Sequence, residues 1–270
     1  MPPSDQRQGE LDERAHAFYL STLTLLADAH IPFLVGGAYA LKHYTGIARD
    51  TKDLDVFVQR EHYGAVEIVL GAAGIATELT FPHWLGKASC EHASLDVIFS
   101  SGNGLSQVDD AWFAHAVIGS VLGAEVSICP AEEMIWSKAF ITERERYDGA
   151  DIMHLLLACA DRLDWRRLLA RFDAHWRVLL SYLGLFGFVY PSERARIPAW
   201  VMRDLIERLA SDLRSPPPRR RVCQGTLLSR EQYLTDVGPW GFEDARLTEG
   251  GSMTVEEVAH WTRAIADESD

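Results

Sequence analysis

Two aspartates one residue apart, Asp53 and Asp55, interrupt the apolar segment "TKDLDVFV". Alternate side chains of a β-strand project to the same face, so both carboxylates would share one face while Leu54 and Val56 face the core. Neighbouring carboxylates repel each other, and a divalent cation between them removes that repulsion. Hard oxygen donors of this kind suit Mg2+ or Mn2+. The alternative is that the two aspartates cap turns or lie on a solvated strand edge.

A third aspartate, Asp96, lies between Leu95 and Val97 in the segment "SLDVIFS". An isolated aspartate would be poorly solvated within such an apolar strand, which favours a ligand at this position. If this strand lies beside the strand of Asp53 and Asp55, the three carboxylates form a cage for two Mg2+ or Mn2+ ions.

A glycine pair, Gly36 and Gly37, follows the apolar run "IPFLV" and precedes a segment with helical spacing. At such a junction the backbone amides and the positive end of the helix can hold an anion, such as a phosphate chain. A simple tight turn would use the same glycines, so this alternative also stays open. Together, a phosphate-binding turn and a carboxylate cage indicate phosphoryl or nucleotidyl transfer.

Helices and strands alternate in the first half of the sequence, which predicts an α/β fold that positions these residues. Helical spacing covers residues 9–29, 38–46 and 61–73, and short strands are predicted at 31–37, 53–59, 94–100 and 124–130. After Pro130 the apolar residues recur at helical intervals. We therefore predict a catalytic core over residues 1–130 and a mainly helical C-terminal domain over 131–270. The segment "RSPPPRRR" at 214–221 is predicted to be an exposed loop, because its prolines cannot continue a helix.

The composition limits the classes of partner. The 270 residues include 39 acidic and 26 basic side chains, giving a net charge of -13. This charge opposes attraction to nucleic acid and favours cationic partners. No stretch approaches the length of a membrane span and no leader is apparent, so we expect a cytoplasmic protein without a membrane partner. The four cysteines form no CxxC pair and are expected to be buried free thiols.

The order of strand, "GG", helix, "TKDLDV" and a later strand aspartate resembles the DNA polymerase beta-type nucleotidyltransferase superfamily over about residues 15–150. The longer segment "GGAYALKHYTGIARDTKDLDVFV" is similar to its stand-alone bacterial branch, which includes abortive-infection toxins and antibiotic nucleotidyltransferases. The resemblance implies a nucleotidyltransferase core, with a small mixed sheet flanked by helices, followed by a helical C-terminal domain.

The resemblance also implies roles for individual residues. Asp53 and Asp55 would bind both metal ions. Asp96 would bind the catalytic ion and help to deprotonate the attacking hydroxyl. Gly36 and Gly37 would hold the triphosphate.

Further nucleotide-binding residues follow from the same resemblance. Thr51 would position a phosphate or support the strand of the aspartates. Arg49 would neutralise developing negative charge, with a surface salt bridge as the alternative. Lys138, in the segment "EEMIWSKAFITERERYDGADIMHLL", would be the partner of a nucleotide phosphate.

The residues that follow Lys138 are candidate supporting residues of the site: Arg146, Asp148 and Asp151. Two alternatives apply to this segment. The charged residues between 132 and 146 could form a solvated helix face. Asp148 and Asp151 could instead cap the next helix.

The predicted function is metal-dependent transfer of a nucleoside monophosphate from a triphosphate such as ATP to a hydroxyl, with release of pyrophosphate. The acidic composition favours a small-molecule acceptor over RNA. A toxin-type enzyme that acts on transfer RNA is one alternative, and a non-catalytic nucleotide-binding module of the same fold is another. Hydrolase or kinase-like use of the same site also remains open. The sequence does not define the oligomeric state.

Overall fold

A computed structural model describes residues 4–49, 51–91 and 93–267. The chain divides into two compact units. The first comprises Met1–Gly102 with Gln107–Pro130, and the second comprises Asn103–Ser106 with Ala131–Asp270.

The first unit is built on a seven-stranded mixed sheet. Its strands are β1 (Leu34–Val35), β2 (Asp53–Phe57), β3 (Ala76–Phe81), β4 (Leu85–Cys90), β5 (Ala93–Ile98), β6 (Val117–Val121) and β7 (Ala124–Ile128). The strand order is β3-β4-β5-β2-β1-β7-β6. β2 runs parallel to β5 and antiparallel to β1, so the strand of the two aspartates lies between these two neighbours.

Four helices accompany this sheet: α1 (Ser4–Asp28), α2 (Gly37–Thr45), α3 (Tyr63–Ala72) and α4 (Asp110–Ala114). Helix α2 ends at Gly46, whose φ of 75° is left-handed and whose N–H donates to the Lys42 carbonyl. A left-handed glycine in this position is a common helix terminus because it has no Cβ to clash. The glycine therefore ends α2 where the sequence predicts.

The core of the sheet follows the alternation in β2 and β5. Leu54, Val56, Leu95 and Val97 are at most 1% exposed, whereas the intervening positions, including the aspartates, are only partly buried. Burial of these branched side chains holds the two strands in one register. The predicted orientation of the two aspartates, away from the face of Leu54 and Val56, is confirmed.

The second unit is mainly helical. Its helices are α5 (Ala131–Lys138), α6 (Gly149–Cys159), α7 (Trp165–Phe172), α8 (Trp176–Val189), α9 (Ala199–Arg214), α10 (Leu234–Val237) and α11 (Val255–Asp267). Two short strands, β8 (Val222–Cys223) and β9 (Glu243–Asp244), pair in parallel. In the part of the chain that the structure describes, every helix is too short or too polar to cross a membrane.

The predicted fold class, a mixed α/β sheet flanked by helices and followed by a mainly helical region, is confirmed. The loop at 214–221 is exposed after α9 ends at Arg214, as its prolines predict. The sequence prediction omitted β3, β4 and β6. It was also wrong for Cys90, which is exposed, although the other three cysteines are buried free thiols.

Candidate functional site

The strand register places two of the predicted carboxylates side by side. Asp55 on β2 lies opposite Asp96 on β5, and Asp53 lies opposite Ser94. Opposite residues of paired strands project to the same face, so all three aspartates share one face of the sheet. The side chain of Asp96 is only 15% exposed. This face is therefore strongly acidic and partly shielded from solvent.

The glycine turn lies directly against the acidic strand. The N–H of Gly36 donates to the Asp55 carbonyl at 2.9 Å. A Cβ on Gly37 would lie 1.6 Å from Oδ2 of Asp55, and one on Gly36 would lie 2.1 Å from the Phe57 ring. Gly37 also has a positive φ of 53°. Only glycine allows this approach, which brings the start of α2 to the Asp55 carboxylate.

Thr51 fixes the carboxylate of Asp53. Its hydroxyl donates to Oδ1 of Asp53 at 2.6 Å and lies 3.1 Å from the carbonyl of the same residue. Thr51 thus makes the contacts expected of a residue that supports this strand, while its role towards a phosphate stays a prediction. Arg49 is exposed, and its role towards a nucleotide also stays a prediction.

Two tyrosines near Asp53 were missed in the sequence analysis. The rings of Tyr19 on α1 and Tyr39 on α2 lie edge to face, with centroids 6.4 Å apart. Burial raises the pKa of Tyr19 to about 12, with smaller contributions from Tyr39 and from the carboxylates of Asp53 and Asp55. Burial and then Asp53 raise the pKa of Tyr39. Both phenols therefore stay protonated at neutral pH and can donate hydrogen bonds. Helical spacing alone did not distinguish them from core aromatics.

Lys87 was also missed, because its strand, β4, was not predicted. Lys87 lies opposite Asp96 in the antiparallel pair of β4 and β5. Its Nζ is 3.6 Å from Oδ1 of Asp96. The acidic face therefore includes an ammonium group next to Asp96, the carboxylate for which the resemblance implies a role in proton transfer.

The carboxylates fit a magnesium or manganese site by their chemistry, since hard oxygen donors are the ligands these ions prefer. The contact of the Gly37 backbone with Asp55 adds amide groups that could face a phosphate bound to the same ion. Within residues 4–49, 51–91 and 93–267, no group of three or more His, Cys, Asp or Glu side chains has the arrangement of a metal site. The cage formed by Asp53, Asp55 and Asp96 stays a prediction.

The candidate site residues that follow residue 130 in the sequence form a cluster within the second unit. Nζ of Lys138 lies 2.7 Å from Asp148 and 2.9 Å from Asp151, and all three side chains are at most 14% exposed. Arg146 pairs with Asp148 at 3.2 Å. Burial alone would raise the pKa of Asp148, but Lys138 and Arg146 lower it below its usual range. The ammonium is already balanced by two carboxylates, and its role in nucleotide binding stays a prediction.

Asp148 occupies the N-cap position of α6, but its side chain makes no capping hydrogen bond. The carboxylate instead pairs with Lys138 and Arg146. The capping alternative is therefore wrong for the side chain of Asp148. Asp151 lies in the first turn of α6.

The alternative of a solvated helix face is wrong for the first part of the charged segment. Glu132 and Glu133 are 6% and 0% exposed. Arg167 pairs with both glutamates, and Arg171 lies 3.0 Å from Glu133. Helix α5 ends at Lys138, so the later charged residues are not on this helix. The arginine partners lie more than 30 residues away in sequence, where helical spacing gives no signal.

No protein-family profile matches the chain, and no curated protein matches it at a significant level. Among solved structures, the antibiotic-resistance factor ANT(2'')-Ia in solution is similar at 19% identity with a TM-score of 0.43, covering 62% of this chain and 96% of that one. The crystal structure of ANT(2'')-Ia in complex with adenylyl-2''-tobramycin has 19% identity and a TM-score of 0.42, covering 60% and 98%. The lincosamide antibiotic adenylyltransferase LnuA, lincomycin-bound, has 17% identity and a TM-score of 0.37, covering 52% and 94%.

Proposed function

We propose that this protein is a metal-dependent nucleotidyltransferase that moves a nucleoside monophosphate from a nucleoside triphosphate such as ATP to a hydroxyl group of a small molecule. The observation that carries the proposal is the alignment of Asp55 with Asp96 on adjacent strands, in contact with the Gly36–Gly37 turn. Phosphoryl and nucleotidyl transfer require oxygen ligands for cations next to donors for phosphate oxygens.

In the proposed site Asp53, Asp55 and Asp96 would hold Mg2+ or Mn2+. Two such ions, when bound, neutralise phosphate charge and acidify the acceptor hydroxyl. Thr51 holds the Asp53 carboxylate in one orientation through its short hydrogen bond. Fixed carboxylates lose little conformational entropy on binding a ligand.

The glycine turn would bind the triphosphate. The N–H groups at the start of α2 would supply donors and a positive dipole end without side-chain bulk, whereas the N–H of Gly36 already donates to the Asp55 carbonyl. Arg49 would place an additional positive charge near the phosphates.

The chemical step transfers the α-phosphoryl group. The acceptor hydroxyl oxygen attacks the α-phosphorus, the bond between that phosphorus and the bridging oxygen of pyrophosphate breaks, and pyrophosphate leaves. Asp96 accepts the hydroxyl proton as the new phosphorus–oxygen bond forms. The side chain of Asp96 is only 15% exposed, which restricts contact between its carboxylate and bulk water.

The acceptor in this proposal is a small molecule because the net charge of -13 opposes the approach of RNA. The proposed compartment is the cytoplasm. All four cysteines are free thiols, as is usual for cytoplasmic proteins.

The test is a labelling experiment. Each nucleoside triphosphate labelled at the α-phosphorus is incubated with the protein, Mg2+ and either a panel of aminoglycosides and lincosamides or total transfer RNA. We expect label to move to a small molecule with release of pyrophosphate. Asp55→Asn should abolish transfer, whereas Asp28→Asn, which removes an exposed carboxylate at the end of α1, should not.

The same experiment distinguishes the alternatives. Label on transfer RNA would support the toxin-type enzyme and contradict a small acceptor. Binding of a nucleoside triphosphate without release of its pyrophosphate in the presence of any acceptor would indicate a non-catalytic module. Release of phosphate or pyrophosphate with no labelled acceptor would indicate a hydrolase.

A further inference from the structure

A row of charged side chains crosses four strands of the sheet at the proposed site. Glu78 on β3 lies opposite Lys87 on β4, Lys87 lies opposite Asp96 on β5, and Asp96 lies opposite Asp55 on β2. Opposite residues share a face, so all four side chains project to the acidic face. The backbone of Asp55 then binds Gly36 at the glycine turn. The order along the row is negative, positive, negative, negative.

Lys87 is the one cation of this row, and neither the predicted metal cage nor the phosphate-binding turn includes it. Its Nζ lies 3.6 Å from Oδ1 of Asp96, which is an ion pair rather than a direct hydrogen bond. The Lys87 side chain is 44% exposed, whereas that of Asp96 is 15% exposed. The ammonium therefore approaches a shielded carboxylate from the solvent side, on a flexible stem.

An ammonium and a divalent cation compete for such a carboxylate. Each is attracted to Asp96, and they repel each other at short range. When a divalent cation binds, the flexible lysine side chain can move its ammonium group into solvent. The binding free energy of the cation is then reduced only by the loss of a partly exposed ion pair, that of Lys87 with Asp96. Pairs of that kind contribute about 0.2–1 kcal/mol.

We propose that Lys87 is the counter-ion of Asp96 while the site holds no divalent cation, and that a divalent cation must displace it. This inference rests on the proposed function, because it takes Asp96 as a metal ligand. Lys87 acts through Asp96 and is a positioning residue. It lowers the affinity of the site for a free metal ion and balances the charge of the empty site.

The test measures Mn2+ binding by electron paramagnetic resonance in the absence of nucleotide. Lys87→Met should bind Mn2+ about 1.4- to fivefold more tightly than the wild type, which is the ion-pair range above converted at tenfold per 1.4 kcal/mol. Lys87→Arg keeps the positive charge, so it should bind Mn2+ with an affinity close to that of the wild type. Lys42→Met removes another exposed lysine of the same unit and controls for the change in net charge.

The outcomes separate this inference from the proposed function. If Mn2+ binds the wild type, is lost in Asp55→Asn and is unchanged in Lys87→Met, the metal site stands and the role of Lys87 is wrong. If Lys42→Met strengthens binding as much as Lys87→Met, the effect is one of net charge and the inference is also wrong. If neither the wild type nor Lys87→Met binds Mn2+, both proposals fail. Circular dichroism of each variant checks that the fold is retained.

Discussion

The contact between the glycine turn and Asp55 gives a sharp prediction for Gly37→Ala. The new Cβ would lie 1.6 Å from Oδ2 of Asp55, and ordinary contact begins at 3.4 Å. Relief of this overlap requires the carboxylate or the turn to move by about 2 Å, a shift large enough to break the alignment of Asp55 with Asp96. We expect transfer activity and Mn2+ binding to be lost.

The effect on stability has two parts, and the chain offers a control that separates them. A non-glycine residue in left-handed backbone costs about 1–2 kcal/mol, and the overlap adds about 1–3 kcal/mol. Gly46 also has a positive φ, 75°, but a Cβ there would meet nothing within 4 Å. Gly46→Ala should therefore show only the backbone cost, and Gly37→Ala should be less stable than Gly46→Ala by the cost of the overlap.

Urea unfolding of both variants, followed by circular dichroism, measures this difference. The same preparations are used for Mn2+ titration and for the transfer assay. If Gly37→Ala unfolds at the same urea concentration as Gly46→Ala and keeps its Mn2+ affinity, the turn does not lie against Asp55, and the geometry on which the proposed site rests is wrong.

Three further predictions concern single carboxylates and their partners. Asp96→Asn should lower the rate of transfer by about two to four orders of magnitude while nucleotide affinity changes far less, because the residue acts on the transition state; a loss of affinity alone in nucleotide titration would contradict its role as the proton acceptor. Lys138→Met leaves the buried carboxylates of Asp148 and Asp151 without their shared cation, and thermal or urea unfolding should show a loss of about 3 kcal/mol; an unchanged midpoint would contradict the structural role of this cluster. The pKa of Asp148 is lowered in the folded state, so its contribution to stability is present at neutral pH and is lost as the pH falls below about 4. Asp148→Asn should weaken the dependence of the free energy of unfolding on pH in that range. A pH dependence identical to that of the wild type would contradict the pairing of Asp148 with Lys138 and Arg146.

The local features of the site were predictable from the sequence because they depend on short-range periodicity. The alternation in "DLDVF" defined which residues of β2 face the core, and Gly46 defined the end of α2. Both are properties of neighbouring residues, so no tertiary information was required.

The features that were missed depend on pairing between distant segments. Lys87 belongs to a strand whose sequence, "LGKASC", mixes glycine, small and polar residues and lacks a clear alternation. Its position beside Asp96 comes from the antiparallel pairing of β4 with β5, for which the local sequence pattern gives no signal. The burial of Glu133 likewise depends on Arg167 and Arg171 of α7, and the spacing within α5 alone predicts a solvated face.

Strand pairing explains why the glycine turn and the acidic strand form one unit although fifteen residues separate Gly37 from Asp53. β1 pairs with β2 through Leu34 with Phe57 and Val35 with Val56, and the next backbone contact in that register joins Gly36 to Asp55. Helix α2 (Gly37–Thr45) takes up most of this interval and lies outside the register. The length of the connection therefore has little influence on where the turn meets the carboxylate. What matters is the pairing of β1 with β2 and the lack of a side chain at Gly36 and Gly37, and a change at either glycine should disturb the site more than a change within that connection.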